Sequence, residues 1–148
     1  MIFIESESDQ TFPVELLERA ARAALDLSGV LDGDLTLVLT GDAHIQALNR
    51  DFLDHDAPTD VLAFPSTEAD PETNRRYLGD VIISLQRATE QAGERGHPVE
   101  SEVQLLVVHG VLHLLGHDHA GAEEKAHMWA SQSEILERLG VSPKIVHE

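Results

Sequence analysis

The sequence predicts an α+β fold in which helices pack on a small four-stranded mixed sheet. Stretches with strand period and stretches with helical period follow one another in the order β-α-β-α-β-β-α-α-α. One helical stretch, residues 97–115, is apolar on nearly every side, as a helix in a protein interior is. A chain of 148 residues is long enough for a sizeable core. We therefore expect a single domain over residues 1–148, with the 97–115 helix at its centre.

The first third of the chain predicts two strands and two helices. Residues 1–5 form a short strand, and Pro13 begins a helix that continues to about Leu27. Residues 35–40 place three leucines on one face, as a strand with one buried face does. Asp42 can then cap the next helix through its side chain. The apolar stripe of that helix comprises Ile45, Leu48 and Phe52.

Turn residues and apolar runs predict the later elements. These are a strand over 60–64, a surface loop over 66–77, a buried strand over 78–84, a short helix capped by Ser84 that runs through Ala92 and ends at Gly93, and a last helix from about Ala122 to Leu139 that ends at Gly140. Three arginines near the loop, Arg75, Arg76 and Arg87, could together form a small basic patch.

Composition excludes several classes of protein. No apolar run is long enough to cross a bilayer, and the N-terminus lacks the basic and apolar segments of a signal peptide. The chain has no cysteine, which excludes disulfides and thiolate metal ligands. We therefore expect a cytoplasmic protein with no membrane partner, in which histidines and carboxylates bind any metal.

The net charge opposes strong binding of nucleic acid. The chain has 27 acidic and 10 basic residues and a formal net charge of −17. Proteins that bind nucleic acid through its phosphates normally present a basic face. We therefore expect no tight autonomous binding of RNA, unless a metal ion and a few local arginines contact the phosphate or a partner delivers the RNA.

The predicted central helix contains a candidate metal site. His109 and His113 are four residues apart and therefore lie on one helical face. Gly116 can take the left-handed conformation that ends the helix, and His119 follows three residues later. Three neutral imidazoles suit one zinc ion and leave a fourth position for water, which is typical of a catalytic site. Alternatively, the histidines are unrelated, since the chain has nine.

The same spacing of histidines, H-x-x-x-H-x-x-G-x-x-H, occurs in metzincin proteases. In those enzymes a glutamate that acts as general base directly follows the first histidine. Here that position is occupied by Gly110, so the usual proteolytic mechanism lacks its general base. The glycine therefore favours a different hydrolytic chemistry.

Residues 109–119, HGVLHLLGHDH, resemble a signature of the YbeY family, H-G-x-L-H-L-x-G-Y-D-H. Members of this family are bacterial metal-dependent endoribonucleases and ribosomal RNA maturation factors. The resemblance implies that His109, His113 and His119 are the metal ligands. His117 replaces the family's tyrosine and is an alternative third ligand. Asp118 could orient a ligating histidine through its ring N–H, or could cap the helix that follows.

A second stretch, residues 49–65, contains a polar turn that has two interpretations. On composition alone, Thr59 and Asp60 are ordinary turn residues that hydrogen-bond to the backbone. The stretch also resembles the other YbeY signature, N-x-x-F-R-x-x-D-x-P-T-D-V-L-S-F, which makes both residues candidates for the substrate side of the site. The matching residues are Asn49, Phe52, Asp56, Pro58, Thr59, Asp60, Val61, Leu62 and Phe64.

One position of the second signature departs from the family. The family's arginine after the aromatic residue is Leu53 in this chain. An arginine there could clamp a phosphate and offset negative charge in the transition state, which leucine cannot do. Arg50, about one helical turn earlier, is the candidate replacement, although its side chain points elsewhere unless the helix end unwinds.

The resemblance implies a zinc-dependent endoribonuclease that uses one zinc ion in ribosomal RNA processing and ribosome assembly. Its expected partners are RNA, ribosomal in kind, and ribosomal or assembly proteins, and DNA is not expected. One alternative is a metal-stabilised binding factor for ribosome assembly, which the acidic charge and Leu53 favour. Another is a metal-dependent hydrolase of a different substrate class, such as peptides.

Overall fold

A computed structural model describes residues 1–117 and 120–141 of the chain. The elements follow one another in the predicted order. They are β1 (Ile2–Ser6), α1 (Val14–Leu27), β2 (Gly33–Thr40), α2 (Asp42–Leu53), β3 (Val61–Pro65), β4 (Arg76–Ser84), α3 (Leu85–Arg95), α4 (Val99–Leu114) and α5 (Ala122–Leu139). The predicted α+β class is confirmed. No helix in the described part of the chain is long and apolar enough to cross a membrane.

The four strands form one mixed sheet, as predicted, and their order within the sheet is β1-β2-β4-β3. β1, β2 and β4 run parallel to one another, whereas β3 pairs with β4 in the antiparallel direction. In the register of the last pair, Val61 lies opposite Ile83 and Ala63 lies opposite Val81. β3 is therefore an edge strand, and the polar turn that precedes it lies at one end of the sheet.

The predicted central helix, α4, is buried over most of its length. It contacts β3 and β4 on the sheet and the three helices α1, α3 and α5. Every residue from Glu102 to Leu112 is buried, as the sequence predicts for a helix that is apolar on nearly all sides. The main hydrophobic core lies between this helix, α1, α5 and one face of the sheet.

A smaller core covers the opposite face of the sheet. Its buried residues are Val38, Ile45, Leu62 and Ile82, with Leu48 and Phe64 packed against them. Successive side chains of a strand point to opposite faces, so β2 and β4 supply residues to both cores. Helix α2 reaches this smaller core mainly through Ile45. Phe52, which the sequence assigns to the same apolar stripe, is instead 68% exposed.

Several predicted boundaries differ from the structure by one or more residues. Helix α3 does not end at Gly93 but continues to Arg95, where Gly96 takes the left-handed conformation (φ 72°) that ends it. A glycine inside a helix costs only about 1 kcal/mol, and the buried Ala88 and Ala92 fix this helix against the core. The N-cap of α2 is Gly41 and not the predicted Asp42, which is the first residue of the helix. Strand β4 begins at Arg76, inside the region that was predicted to be a loop.

Candidate functional site

His109 and His113 direct the same ring atom toward each other. Both lie on α4, one turn apart, and their Nε2 atoms are 3.1 Å apart. Two nitrogens that bind one tetrahedral zinc at about 2.0–2.1 Å lie about 3.3 Å from each other. The observed distance therefore fits two ligands of one metal ion with only a small movement of the rings.

Gln132 on α5 holds His109 in the orientation that such a ligand needs. Its Oε1 lies 3.0 Å from His109 Nδ1, and His109 itself is 2% exposed. The amide oxygen only accepts hydrogen bonds, so in this network Nδ1 carries the proton and the lone pair is on Nε2. Metal-binding histidines usually donate their other N–H in this way. Helical periodicity places Gln132 on the same face of α5 as Met128 and Ile135, which predicts a core position and not this contact; a polar residue on that face was the available signal.

The third predicted ligand, His119, and the neighbouring Asp118 lie outside the described residues. The turn that leads to them is described, because Gly116 takes a left-handed conformation (φ 97°) directly after α4, as predicted. Within residues 1–117 and 120–141, no three or more histidine, aspartate or glutamate side chains are placed to hold a metal ion. The identity of the third ligand therefore remains a prediction.

A cleft of about 670 Å³ opens beside the two histidines. It brings together the polar turn before β3, one face of α3 and the face of α4 that carries His109 and His113. The lining residues are Leu53, Pro58, Thr59, Asp60, Val61, Leu62, Ala63, Pro65, Arg87, Gln91, Arg95, His109, Gly110 and His113. The structure thus places Thr59 and Asp60, predicted from a separate signature, in the same cleft as His109 and His113.

Arg50 does not line this cleft. Its side chain is exposed, and its Nε donates to Asp51 Oδ1 at 3.0 Å. This contact raises the pKa of Arg50 above its usual value, so the group is a cation at any ordinary pH. The residue predicted to replace the family's arginine is therefore bound at the surface of α2, while Leu53 occupies the cleft.

Two buried carboxylates support the wall of the cleft. Glu102 is 0% exposed, and its Oε2 lies 2.6 Å from His97 Nε2 while Arg95 Nη1 donates to its Oε1 at 3.1 Å. With its amide nitrogen turned toward the two acids, Gln91 donates to Glu102 Oε1 (2.9 Å) and to Asp60 Oδ2 (3.2 Å). This network ties Asp60 to α3 and α4, and sequence analysis did not identify Gln91, Arg95 or Glu102.

Arg87 belongs to the cleft and not to the predicted basic patch with Arg75 and Arg76. Its Nη2 donates to Asp42 Oδ2 at 2.9 Å, next to Ser84, which caps α3 as predicted. Arg75 instead donates to Asp34 Oδ1 at 2.6 Å, near the start of β4. The length of β4 separates these arginines, so the predicted patch is wrong.

His117, the alternative third ligand, lies in surface depressions that do not include His109 or His113. Its ring stacks on that of His127, with ring centroids 5.3 Å apart and planes within 2°. Burial, together with the nearby His127, lowers the pKa of His117. Its imidazole is therefore less easily protonated than an exposed one.

The position that follows His109 has no room for the glutamate of metzincins. A Cβ atom on Gly110 would lie 2.5 Å from Cγ1 of Val81, a buried residue of β4. Atoms of a well-packed core cannot approach so closely without movement of the backbone or side chains. The glycine thus allows α4 to pack closely on the sheet, which explains in physical terms why the proteolytic base is absent here.

Comparisons with known protein families and proteins match nearly the whole chain to a single family. A family model described as endoribonuclease YbeY matches residues 3–140. The endoribonuclease YbeY of Pelotomaculum thermopropionicum is 47% identical over 131 residues, which cover 86% of this chain and 86% of that protein. The endoribonuclease YbeY of Syntrophotalea carbinolica is 43% identical over 143 residues, which cover 94% and 95% of the two chains.

A solved structure has the same fold. It is the solution structure of a protein from Thermotoga maritima, which superimposes with a TM-score of 0.61 at 27% sequence identity. The match covers 99% of this chain and 97% of the other. The similarity therefore extends over the sheet, the helices and the cleft together.

Proposed function

Because this chain belongs to the endoribonuclease YbeY family and its activity class is therefore hydrolytic cleavage of RNA, we propose that it acts on ribosomal RNA with a zinc ion in the cleft. The observation that carries the zinc proposal is the pair of facing Nε2 atoms on His109 and His113. Maturation of ribosomal RNA during ribosome assembly in the cytoplasm is the process that this activity would serve.

The proposed ligands are His109, His113 and His119, with water at the fourth position. Zinc bound there would polarise a phosphoryl oxygen and lower the pKa of the bound water. Gln132 keeps the ring of His109 in one tautomer and one orientation, which supports the role of His109 as a ligand. We place Asp118 among the residues that orient a ligating histidine, as its position between two candidate ligands suggests.

The polar turn would form the substrate side of the cleft. Thr59 and Asp60 line it opposite α4, and Gln91 fixes the Asp60 carboxylate by a hydrogen bond of 3.2 Å. A fixed carboxylate and hydroxyl can orient water or a ribose hydroxyl without moving during the reaction. We assign this orienting role to Thr59 and Asp60. Arg50, bound to Asp51 outside the cleft, has no part in the proposed step.

The test is His113→Ala, with His44→Ala as the control because His44 is exposed and lies near Glu7 instead of the cleft. We expect His113→Ala to abolish cleavage of single-stranded RNA and to weaken zinc binding, yet to retain a cooperative unfolding transition. The apolar surroundings of α4 hold the helix in place without metal, although loss of a bound ligand lowers stability somewhat. His44→Ala should cleave RNA as the parent does.

Two observations favour the second candidate function, a binding factor whose metal is structural. Leu53 lines the cleft where the family's signature has an arginine, and the net charge is −17. If the metal is structural, its binding energy is part of the folding energy, and a chelator should unfold the protein. Loss of the helical circular dichroism signal in His113→Ala, or cleavage equal to the parent, would contradict the enzymatic proposal.

A further inference from the structure

We propose that Arg87, Gln91 and Arg95, here called the α3 stripe, bind the phosphodiester backbone of single-stranded RNA in the cleft. This inference rests on the proposed endoribonuclease function and names the residues that hold its substrate. Neither signature includes these residues, since both lie outside α3. The stripe would supply the positive charge that Leu53 does not provide.

The three residues lie on one face of one helix. They are four residues apart, and residues at this spacing are neighbours on a helix surface. All three line the cleft that also contains His109 and His113. With a rise of about 1.5 Å per residue, Arg87 and Arg95 are about 12 Å apart along the helix axis, far enough to contact two separate phosphates.

A carboxylate orients each arginine. Asp42 accepts from Arg87 at 2.9 Å, and the fully buried Glu102 accepts from Arg95 at 3.1 Å. The side chains of Arg87 and Arg95 remain 31% and 40% exposed, and both line the cleft. A guanidinium carries five N–H donors in a planar fork, which can bind a carboxylate on one edge and a phosphate on another.

The remainder of the cleft needs such cations. The lining residues other than the stripe include one carboxylate, Asp60, and one exposed leucine, Leu53, but no lysine or further arginine within the described chain. RNA carries one negative charge per phosphate, and an acidic protein repels it unless cations face the strand. The stripe places Arg87 and Arg95 in the same cleft as His109 and His113.

The experiment measures how salt weakens RNA binding. The full chain with its metal is titrated against a short, fluorescein-labelled 2′-O-methyl RNA, checked afterwards to be intact, from about 50 to about 200 mM KCl. For single strands, the slope of log affinity against log salt falls by about 0.7 for each phosphate that the protein no longer neutralises. We expect that reduction for Arg87→Gln and for Arg95→Gln, and about 1.4 for the double variant.

The control is Arg19→Gln, which changes an arginine in a different surface depression, beside Arg22 and Arg138. It should leave the slope unchanged. Arg87→Lys and Arg95→Lys should retain most of the slope, because the charge remains. Arg95→Gln removes one partner of the buried Glu102, so the thermal unfolding of the Arg95→Gln variant is measured first. If the Arg95→Gln variant does not fold, Arg87→Gln alone tests the proposal.

The outcomes separate this inference from the proposed function. If the unaltered protein cleaves RNA but Arg87→Gln has the same slope as Arg19→Gln, the stripe does not bind phosphate and the proposed function still stands. If the unaltered protein neither binds nor cleaves RNA, both proposals are wrong. A reduced slope that lysine restores supports the stripe, because a purely structural role of the arginines would not change how many phosphates the protein neutralises.

Discussion

Replacement of Gly110 by alanine tests the packing that distinguishes this site from a protease. A Cβ at Gly110 would lie 2.5 Å from Cγ1 and 3.1 Å from Cγ2 of Val81. The natural control is Gly93, which lies inside α3 and has nothing within 4 Å of the position that an alanine Cβ would take. Both substitutions make the same chemical change inside a helix, and only one meets a buried side chain.

The expected magnitudes follow from two opposing effects. Alanine stabilises a helix interior by about 1 kcal/mol relative to glycine. Overpacking of a core costs about 1–3 kcal/mol, and the larger value applies here because the β-branched Val81 has little rotamer freedom. Gly110→Ala should therefore lower the free energy of unfolding by about 2 kcal/mol, whereas Gly93→Ala should raise it by about 1 kcal/mol.

Thermal and urea unfolding followed by circular dichroism measure both changes. The two variants should differ in Tm by about 10 °C. The double variant Gly110→Ala/Val81→Ala should be more stable than the sum of its single changes, because truncation of Val81 relieves the contact. If Gly110→Ala stabilises the protein as much as Gly93→Ala, the close approach of α4 to β4 is not as described, and the physical explanation for the missing glutamate is refuted.

Three further predictions concern the cleft and the sheet. Gln132→Met should weaken zinc binding about 10- to 100-fold, measured with a competing chelator, because His109 loses its partner. Leu53→Arg should increase cleavage of single-stranded RNA, because a further cation then lines the cleft at the position where the family's signature has an arginine. Burial and the hydrogen bond to Asp80 raise the pKa of Tyr77 from 10.0 to about 12, so the phenol's contribution to stability is complete below pH 10 and is lost as the pH rises toward 12. Phenolate absorbance measures this directly, because the chain has one tyrosine.

Each of these predictions has an outcome that contradicts it. Unchanged zinc affinity in Gln132→Met would mean that the hydrogen bond does not orient His109. Flat or lower cleavage in Leu53→Arg would mean that another residue, such as Arg87 or Arg95, already neutralises the phosphate. A Tyr77 midpoint near 10 in the folded protein, equal to that in denaturant, would mean that the phenol is neither buried nor held by Asp80 as described.

The sequence could predict the order of elements because periodicity is a local property. The central helix is the clearest case, since an apolar sequence on nearly all sides requires contacts on all sides. The end of α3 was mispredicted because a glycine is ambiguous by itself. Gly93 is tolerated inside a helix that Ala88 and Ala92 anchor in the core, and Gly96 is the residue that takes positive φ. Only the tertiary packing distinguishes the two.

The same limit applies to the site. The spacing of His109 and His113 fixes their shared face, so sequence reasoning could pair them, whereas the partner of His109 lies 23 residues away on α5. Glu102 is another example, because its position in α4 shows that an acid enters the interior but not which cations it meets. Polar residues within apolar stripes signal such networks, and their partners become visible only when helices are packed together.

The acidic charge and a function on RNA are compatible because net charge and local charge act over different distances. At physiological ionic strength, charges separated by more than about 8 Å are largely screened, so distant carboxylates weaken binding less than their number suggests. Asp42 and Glu102 do not line the cleft, but they hold Arg87 and Arg95 in place while reducing the net attraction of these arginines for phosphate. Such a cleft positions a phosphate well but attracts RNA from a distance poorly. Weak autonomous affinity for RNA is then the expected behaviour of the proposed enzyme, and it does not prevent cleavage of a phosphodiester bond once the RNA is in the cleft.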